Sequence, residues 1–324
     1  MKVFSDIHAM KDADKRIVIA LGTFDGIHCG HRSIIYRARN LAEEIGGTAA
    51  VLTFKNHPLS IIVPDKEPLH IMTGVERREV LDQLGVEILF ELQFSKELAE
   101  LSATEFVSLL NKAISPAAIV VGKNYTFGKG ASGNAELLKE IGKEQGIRVE
   151  ICPTVVIDGV PVSSTRIRQL ISAGNLQKVN KCLGYDYFVK SIVCHGEKRG
   201  RTLGFPTANL EFGPKRAMLP DGAYAVRVKI SPDASTELTA DEIIDAKNHL
   251  LQGIANIGTN PTFGNVCRRI EVNIFDFDDD IYGRELTVNF VSYMRGEEKF
   301  SSVEALKSQL ETDKAKARLL LCLS

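Results

Sequence analysis

The chain has no surplus of either charge: 40 Lys and Arg stand against 41 Asp and Glu, a net −1, with an isoelectric point near 6.7. Proteins that neutralise a phosphate backbone carry a basic footprint, so nucleic acid is not an expected partner. Long apolar runs are missing too. None approaches the roughly 18 residues that a membrane helix needs, so no membrane partner is expected either. The first sixteen residues are polar and charged, unlike a secretory leader. The six cysteines (Cys29, Cys152, Cys182, Cys194, Cys267, Cys322) contain no Cys-x-x-Cys pair. That spacing speaks against a zinc site or a disulfide frame and suits reduced thiols, so the expected location is the cytoplasm. Internal repeats and low-complexity segments are absent.

What is present is ordinary globular material: 324 residues, 44% hydrophobic and 25% charged. That is long for one core, so two domains are expected. The organising stretch is Gly22-Thr23-Phe24-Asp25-Gly26-Ile27-His28-Cys29-Gly30-His31. An apolar run (Ile17 to Leu21) enters it and an amphipathic segment leaves it, which reads as strand, tight loop, helix. The glycines permit close backbone approach. His28 and His31 then stand beside the amide donors of a helix N-terminus, a natural anion site. Two histidines in a Gly-rich loop before a helix are poorly explained by packing. Cys29 reads as a small filler, and Asp25 either as a brace for the loop or as a ligand contact.

The first half alternates apolar runs with helical patterns. Strands are expected at 17–21, 48–54, 86–91, 117–122 and 147–151, and helices at 74–84, 102–113 and 134–142. Ile34, Ala38, Leu41 and Ile45 form the face of a further helix that Gly46-Gly47 ends. The alternation predicts a doubly wound α/β domain with a parallel sheet, whose ligands lie at the carboxyl ends of the strands. Three more loops can reach that place: Thr53 to Pro58, Val121 to Gly128 and Val162 to Arg168. His57 either stabilises a turn before Pro58 or faces a ligand. Ser163 reads as a helix N-cap. Arg166 and Arg168 lie in that helix's first turn, where the dipole opposes a cation, and a shared anion would reconcile the placement.

After about residue 183 the pattern changes to strands at 187–194, 223–230, 252–257, 268–277 and 285–293. Ile270, Val272 and Ile274 alternate with Glu271 and Asn273. An antiparallel barrel is expected. The polar stretch 231–250 reads as an exposed excursion, and Asp278-Asp279-Asp280 as a solvated hairpin tip. Lys198, Arg199 and Arg201 suit either a phosphate flap or a basic turn. Ser301-x-x-Glu304 predicts a capping box for a C-terminal helix whose apolar face is Val303, Leu306 and Leu310. Arg295 is expected at the surface.

On these residues the chain resembles the prokaryotic bifunctional riboflavin kinase/FAD synthetase family. The likeness rests on His-x-Gly-His within Gly22–His31, on Val121–Gly128 and on Ser163–Arg168. Downstream it rests on Gly200-Arg201-Thr202-Leu203-Gly204-Phe205-Pro206-Thr207-Ala208-Asn209, on Gly253–Gly258 with Asn260-Pro261-Thr262-Phe263, on Glu271, and on Tyr282-Gly283. His-x-Gly-His is shared by many nucleotidyl transferases; the Pro-Thr-Ala-Asn block in this order is far more specific.

The resemblance implies two domains, 1–183 and 184–324. The second would phosphorylate riboflavin with ATP to FMN. The first would transfer AMP from ATP to FMN, giving FAD and pyrophosphate. It implies Mg2+ as cofactor, small-molecule partners only, and a monomer or weak homo-oligomer. Catalytic roles fall to His28, His31, Arg166 and Glu271. ATP and phosphate contacts fall to Gly22, Phe24, Asp25, Gly26, Gly30, Ser164, Thr165, Gly204, Thr207 and Asn209. Flavin contacts fall to His57, Asn124, Tyr125 and Phe127, and metal contacts to Thr207 and Asn209. Two departures stand out. The family commonly has Phe-x-Pro-His-Pro where this chain has Phe54-Lys55-Asn56-His57-Pro58, which is expected to relax the loop. Asn124 stands where many members carry Asp, and Tyr125 where Phe is usual; an amide cannot serve as an anionic metal ligand. Other readings of the same residues are an enzyme with only one active domain, or a flavin-binding regulatory protein without turnover.

Overall fold

The computed structural model describes residues 1–9, 16–196, 204–232, 250–262 and 265–323, with backbone alone at 260–262 and 265–267. The basic segment with Lys198, Arg199 and Arg201, the 233–249 part of the polar excursion, Phe263 and the side chain of Cys267 lie outside the described residues. The chain divides into two compact units, Met1–Arg166 and Ile167–Ser324.

The first unit holds a parallel sheet of β1 (Lys2–Phe4), β2 (Ile17–Leu21), β3 (Thr48–Phe54), β4 (Ile88–Leu92), β5 (Ala118–Gly122) and β6 (Arg148–Cys152), in the order β1-β4-β3-β2-β5-β6. β2 and β4 are buried at every residue and β3 at all but Phe54, which is why these strands read as continuous apolar runs. Helices α1 (Cys29–Glu44), α2 (Gly74–Gln83), α3 (Ala103–Ile114) and α4 (Ala135–Glu144) fill the crossovers. The expected α1 face is buried at Ile34, Ala38 and Leu41, while Ile45 becomes the half-buried C-cap. β1 was not expected. It is an edge strand of three residues paired with Ile88–Phe90, too short for a readable pattern.

One charge cluster is sunk into this unit. The Glu91 carboxylate on β4, 1% exposed, meets Arg77 at 2.9 Å and Arg78 at 2.6 Å, both from α2. Burial opposes ionisation of Glu91, but the two guanidinium groups outweigh it and hold the carboxyl below its usual range. Arg77 also donates to the carbonyls of Phe54 (2.7 Å) and Thr23 (3.3 Å).

The boundary at Arg166 falls within helix α5 (Ser164–Ser172), and α6 (Leu176–Leu183) follows it in the second unit. The second unit is a closed antiparallel barrel: β7 (Phe188–Cys194), β8 (Ala208–Glu211), β9 (Gly222–Ile230), β10 (Leu251–Thr262), β11 (Asn265–Ile274) and β12 (Glu285–Arg295), in the order β7-β8-β11-β10-β9-β12. Ile270, Val272 and Ile274 are buried on β11, as their alternation requires. The C-terminal helix α7 (Val303–Cys322) departs from expectation in detail. Its cap is Ser302, accepting from the Ala305 amide at 3.1 Å, rather than Ser301. Val303 is 53% exposed, and the buried positions are Asp313, Ala317 and Leu321. A carboxylate can occupy that face because Arg295 meets Asp313 at 2.8 Å, so Arg295 is a structural partner rather than a free surface cation.

The Glu91 cluster makes a stability prediction. A carboxyl depressed in the folded state contributes stability that is full above its unfolded pKa, about 4.3, and is lost as pH falls through the lower folded value. Glu91→Gln should cost roughly 3 kcal/mol at neutral pH, because it strands buried cations. It should also flatten the acid limb of stability against pH. Denaturant melts of the two proteins between pH 3 and pH 7 test both statements; an unchanged acid limb would refute the assigned ion pair.

Candidate active site

β2 ends at Leu21, and its loop turns through unusual backbone. Phe24 (φ 48°), Gly26 (φ 82°) and Ile27 (φ 32°) all have positive φ. For a buried Phe and a β-branched Ile this costs on the order of 1–3 kcal/mol each. The loop persists because its surroundings grip it. The buried Asp25 carboxylate accepts from the amides of Ile71 (3.0 Å) and Met72 (3.2 Å). Of the two readings of Asp25, its side chain is thus engaged in the brace. The Asp25 carbonyl accepts from the Ser164 hydroxyl at 2.9 Å, which brings residues 139 apart in sequence to one place.

The loop delivers both histidines. His28 is the N-cap of α1, and its Nδ1 accepts the His31 amide at 3.2 Å. The two imidazoles stack at 3.6 Å between centroids, 16° from parallel, and Phe24 meets His31 edge-on at 5.2 Å. A Cβ at Gly30 would press on the His28 ring at 3.2 Å, so the small residue lets the ring lie flat against the chain. In a neutral His28 ring whose Nδ1 accepts, Nε2 carries the proton and is a donor.

Both histidines line a cavity of about 540 Å3, the size of a cofactor-scale pocket. Gly22, Phe24, Gly30, Ser164, His57, Asn124, Tyr125 and Phe127 border it as well. Its walls are aromatic: Phe54 meets Phe94 edge-on at 5.0 Å, and Tyr125 stacks on Phe127 at 5.6 Å. Burial pushes the Tyr125 phenol well above its ordinary pKa, which keeps it neutral. No carboxylate lines the cavity among the described residues.

Other expected residues are placed differently. Gly26 packs under Ile71, away from the cavity wall. Thr165 is exposed. The Ser163 hydroxyl accepts the Arg166 amide at 3.2 Å, a helix cap as expected. Arg166 Nη1 donates to the carbonyls of Ile157 (3.1 Å), Val160 (2.7 Å) and Pro161 (3.3 Å), so hairpin carbonyls offset the opposing helix dipole in this structure. His57 accepts the Leu59 amide on Nδ1 at 3.1 Å and also borders the cavity, so the turn and the ligand-facing position coexist.

The relaxed loop expected at Asn56 is not found. Asn56 donates to the carbonyl of Phe94 (3.1 Å) and to the Ser60 hydroxyl (3.2 Å), and accepts the Phe94 amide (2.9 Å). A side-chain amide replaces the missing ring by pinning the loop from outside. Arg77 and Glu91 are site architecture that sequence reading passed over, and for Asn56 and Thr53 it named the loop without these bonds. The one available signal was a pair of adjacent arginines in an otherwise ordinary helix.

In the second unit, register assembles the site. Asn209 lies opposite Glu271, and Glu271 opposite Asn256, so the three share the outer face of the barrel. Cross-strand neighbours of this kind have Cβ atoms about 5 Å apart. Asn209 is 6% exposed and Glu271 half-buried. Thr207 and Asn209 border a cleft of about 60 Å3 with Phe277, Asp278 and Tyr282. Gly204, at φ 81°, is exposed at the start of this strand's approach. The His195 ring lies 4.0 Å from that of Tyr282 and tilted 38° to it, a contact the sequence did not signal.

Family models described as FAD synthetase and riboflavin kinase match residues 10–166 and 183–321. The bifunctional riboflavin kinase/FMN adenylyltransferase of Bacillus subtilis (strain 168) is 34% identical over 316 residues, 96% of this chain and 94% of that protein. The protein of the same name from Listeria monocytogenes is 36% identical over 93% of this chain and 91% of its own. The Escherichia coli (strain K12) protein is 32% identical over 98% and 97%. A crystal structure described as a macrolide-efflux protein from Streptococcus pneumoniae is 36% identical, covers 98% of both chains and superimposes with a TM-score of 0.84. Among the described residues of this chain, no helix is long and apolar enough to cross a membrane. With two tandem matches and identity above 30% over nearly its whole length, this chain belongs to the bifunctional riboflavin kinase/FMN adenylyltransferase family.

Proposed function

We propose that this protein carries out two consecutive reactions, phosphorylation of riboflavin to FMN and adenylylation of FMN to FAD, each with ATP. The observation that carries the reading is the stacked His28–His31 pair at the head of α1, opening on an aromatic-walled cavity large enough for a flavin ring. The working domain limits are 1–183 for adenylyl transfer and 184–324 for the kinase, supported by the start of the second family match at residue 183. ATP, riboflavin, FMN and FAD are the substrates and products. Near-zero net charge supports the reading that nucleic acid is no partner; a cytoplasmic monomer or weak homo-oligomer completes the proposal.

In adenylyl transfer an oxygen of the FMN phosphate attacks the α-phosphorus of ATP, and the bond to the departing pyrophosphate breaks. No covalent enzyme intermediate is needed, so the protein contributes position and charge stabilisation. His28 Nε2–H and His31 face the phosphates, and the first-turn amides of α1 add a positive pole. Gly22, Phe24, Gly26 and Gly30 shape the approach, Asp25 fixes it, and Ser164 with Thr165 borders the phosphates from the other side. Arg166 joins by leaving the hairpin carbonyls for a stronger anionic acceptor. His57, Asn124, Tyr125 and Phe127 hold the flavin.

In the kinase site Glu271 takes the proton from the ribityl 5′-hydroxyl, whose oxygen attacks the γ-phosphorus of ATP while ADP leaves. Gly204 allows the backbone close to the phosphates. Thr207 and Asn209 offer hard oxygen donors on one cleft, a set that fits Mg2+. When bound there, Mg2+ supplies neutralisation of the phosphate charge. At the adenylyl site no carboxylate lines the wall among the described residues and Lys123 borders it, so the protein could offer a metal there only neutral ligands such as Asn124.

The discriminating assay incubates the protein with riboflavin or FMN, ATP and Mg2+, and separates the flavins by chromatography. FMN and FAD should both form from riboflavin. FMN without FAD, even when FMN is supplied, would remove the first reaction; binding without product would favour a regulatory flavin binder. His28→Ala should lower FAD formation by roughly 100-fold, the scale of one lost transition-state donor, and spare riboflavin phosphorylation. Glu271→Gln should do the reverse, losing roughly 100-fold or more in FMN formation as a general base is removed. Loss of both reactions in either folded variant would overturn the two-site assignment.

A further inference from the structure

We infer that Arg77 is a positioning residue for adenylyl transfer, because its single guanidinium sets the spacing between the nucleotide loop and the flavin loop. The inference rests on the reading of Gly22–His31 as the ATP site and of the His57 loop as a flavin wall.

Two carbonyls carry the argument. Thr23 O lies immediately before Phe24, the first of the positive-φ residues that lead to His28, and Phe54 O lies three residues before His57. Arg77 Nη1 donates to the first at 3.3 Å and Nη2 to the second at 2.7 Å. A planar guanidinium holds its donors in a fixed fork, so it works as a gauge between the two strand ends. Thr53 Oγ1, fully buried, donates to the same Thr23 carbonyl at 2.9 Å. Glu91 accepts from Arg77 Nη2 at 2.9 Å and from Arg78 Nε at 2.8 Å, orienting the fork from below.

The segment that bears Arg77 is itself locked. Thr73 and Glu76 form a reciprocal capping box at the start of α2, with hydrogen bonds of 3.2 and 2.6 Å. The two residues before it donate their amides to Asp25. Residues 71–77 therefore grip the nucleotide loop on both sides of Phe24, by two backbone amides on the Asp25 carboxylate and by a guanidinium on the Thr23 carbonyl. In-line attack needs the FMN phosphate and the ATP α-phosphorus at a set distance, and Arg77 fixes the frame that carries both. Such a residue acts on the turnover step more than on the binding of either substrate.

The test uses full-length protein and compares Arg77→Lys, Glu91→Gln and His28→Ala with the parent. Lys keeps a cation beside Glu91, but a single ammonium cannot span both carbonyls. Arg77→Lys should lower kcat for FMN to FAD by roughly 10- to 100-fold, with KM for ATP and FMN changing less and riboflavin phosphorylation unchanged. Glu91→Gln leaves both carbonyl contacts available, so it should cost more in melting temperature and less in kcat. The proposal is overturned if the kcat losses follow the melting losses, if the whole effect lies in KM, or if Arg77→Lys turns over like the parent. Should Arg77→Lys not fold, the decision passes to the double variant Arg77→Gln/Glu91→Gln, which removes the fork together with the carboxylate it would otherwise strand; a kcat equal to that of Glu91→Gln alone overturns the proposal. His28→Ala separates the two layers: if it leaves FAD formation intact, the site reading itself fails, whatever Arg77→Lys does.

Discussion

The first unit depends on a backbone that would not hold its shape alone. Phe24, Gly26 and Ile27 sit at positive φ, with Phe24 and Ile27 completely buried. A loop so strained is stable only where neighbours over-determine it. Here they do so through opposite charges: the Asp25 carboxylate drawn onto two amides, and Arg77 drawn onto the Thr23 carbonyl. The His28–His31 stack, the start of α1 and the cavity floor all follow from that grip. The charges are buried for the same reason, since in water their hold on backbone dipoles would be weak.

The barrel site solves the same positioning problem by other means. Asn209 and Glu271 are aligned by strand register, with no loop between them. A one-residue slip would turn both away and push Ile270 and Val272 into solvent, so the apolar core enforces the polar row on the outside. One unit holds its polar groups by specific side-chain bonds to backbone, and the other by the period of a sheet.

This difference governs what could be read from sequence. Parallel strands buried on both faces and the alternation on β11 are properties of local pattern, and they were legible. So were the His-x-Gly-His loop and the polar face of Glu271. β1 and β8 were not, the first because three residues hold no period, the second because Pro206–Asn209 reads as a motif before it reads as a strand. The grip of residues 71–77 on the loop is a contact across 46 and 54 positions, made to carbonyls and amides that every residue has. No composition signals such a bond. Arg166 illustrates the converse: its conflict with the helix dipole was visible, but the hairpin carbonyls that answer it were not.

Asn56 holds its loop by three hydrogen bonds, at a position where a proline would stiffen the loop by other means. A proline ring stiffens a loop by restricting the unfolded chain as much as the folded one, and its restriction survives heating. Hydrogen bonds must be made afresh against the entropy of the loop, and each adds only about 1 kcal/mol net. The wall beside His57 therefore has a temperature coefficient: its hold weakens on warming as those bonds compete with the entropy of the loop. In this chain the rigidity of that cavity wall is a thermodynamic variable, where a proline would have made it a covalent constant.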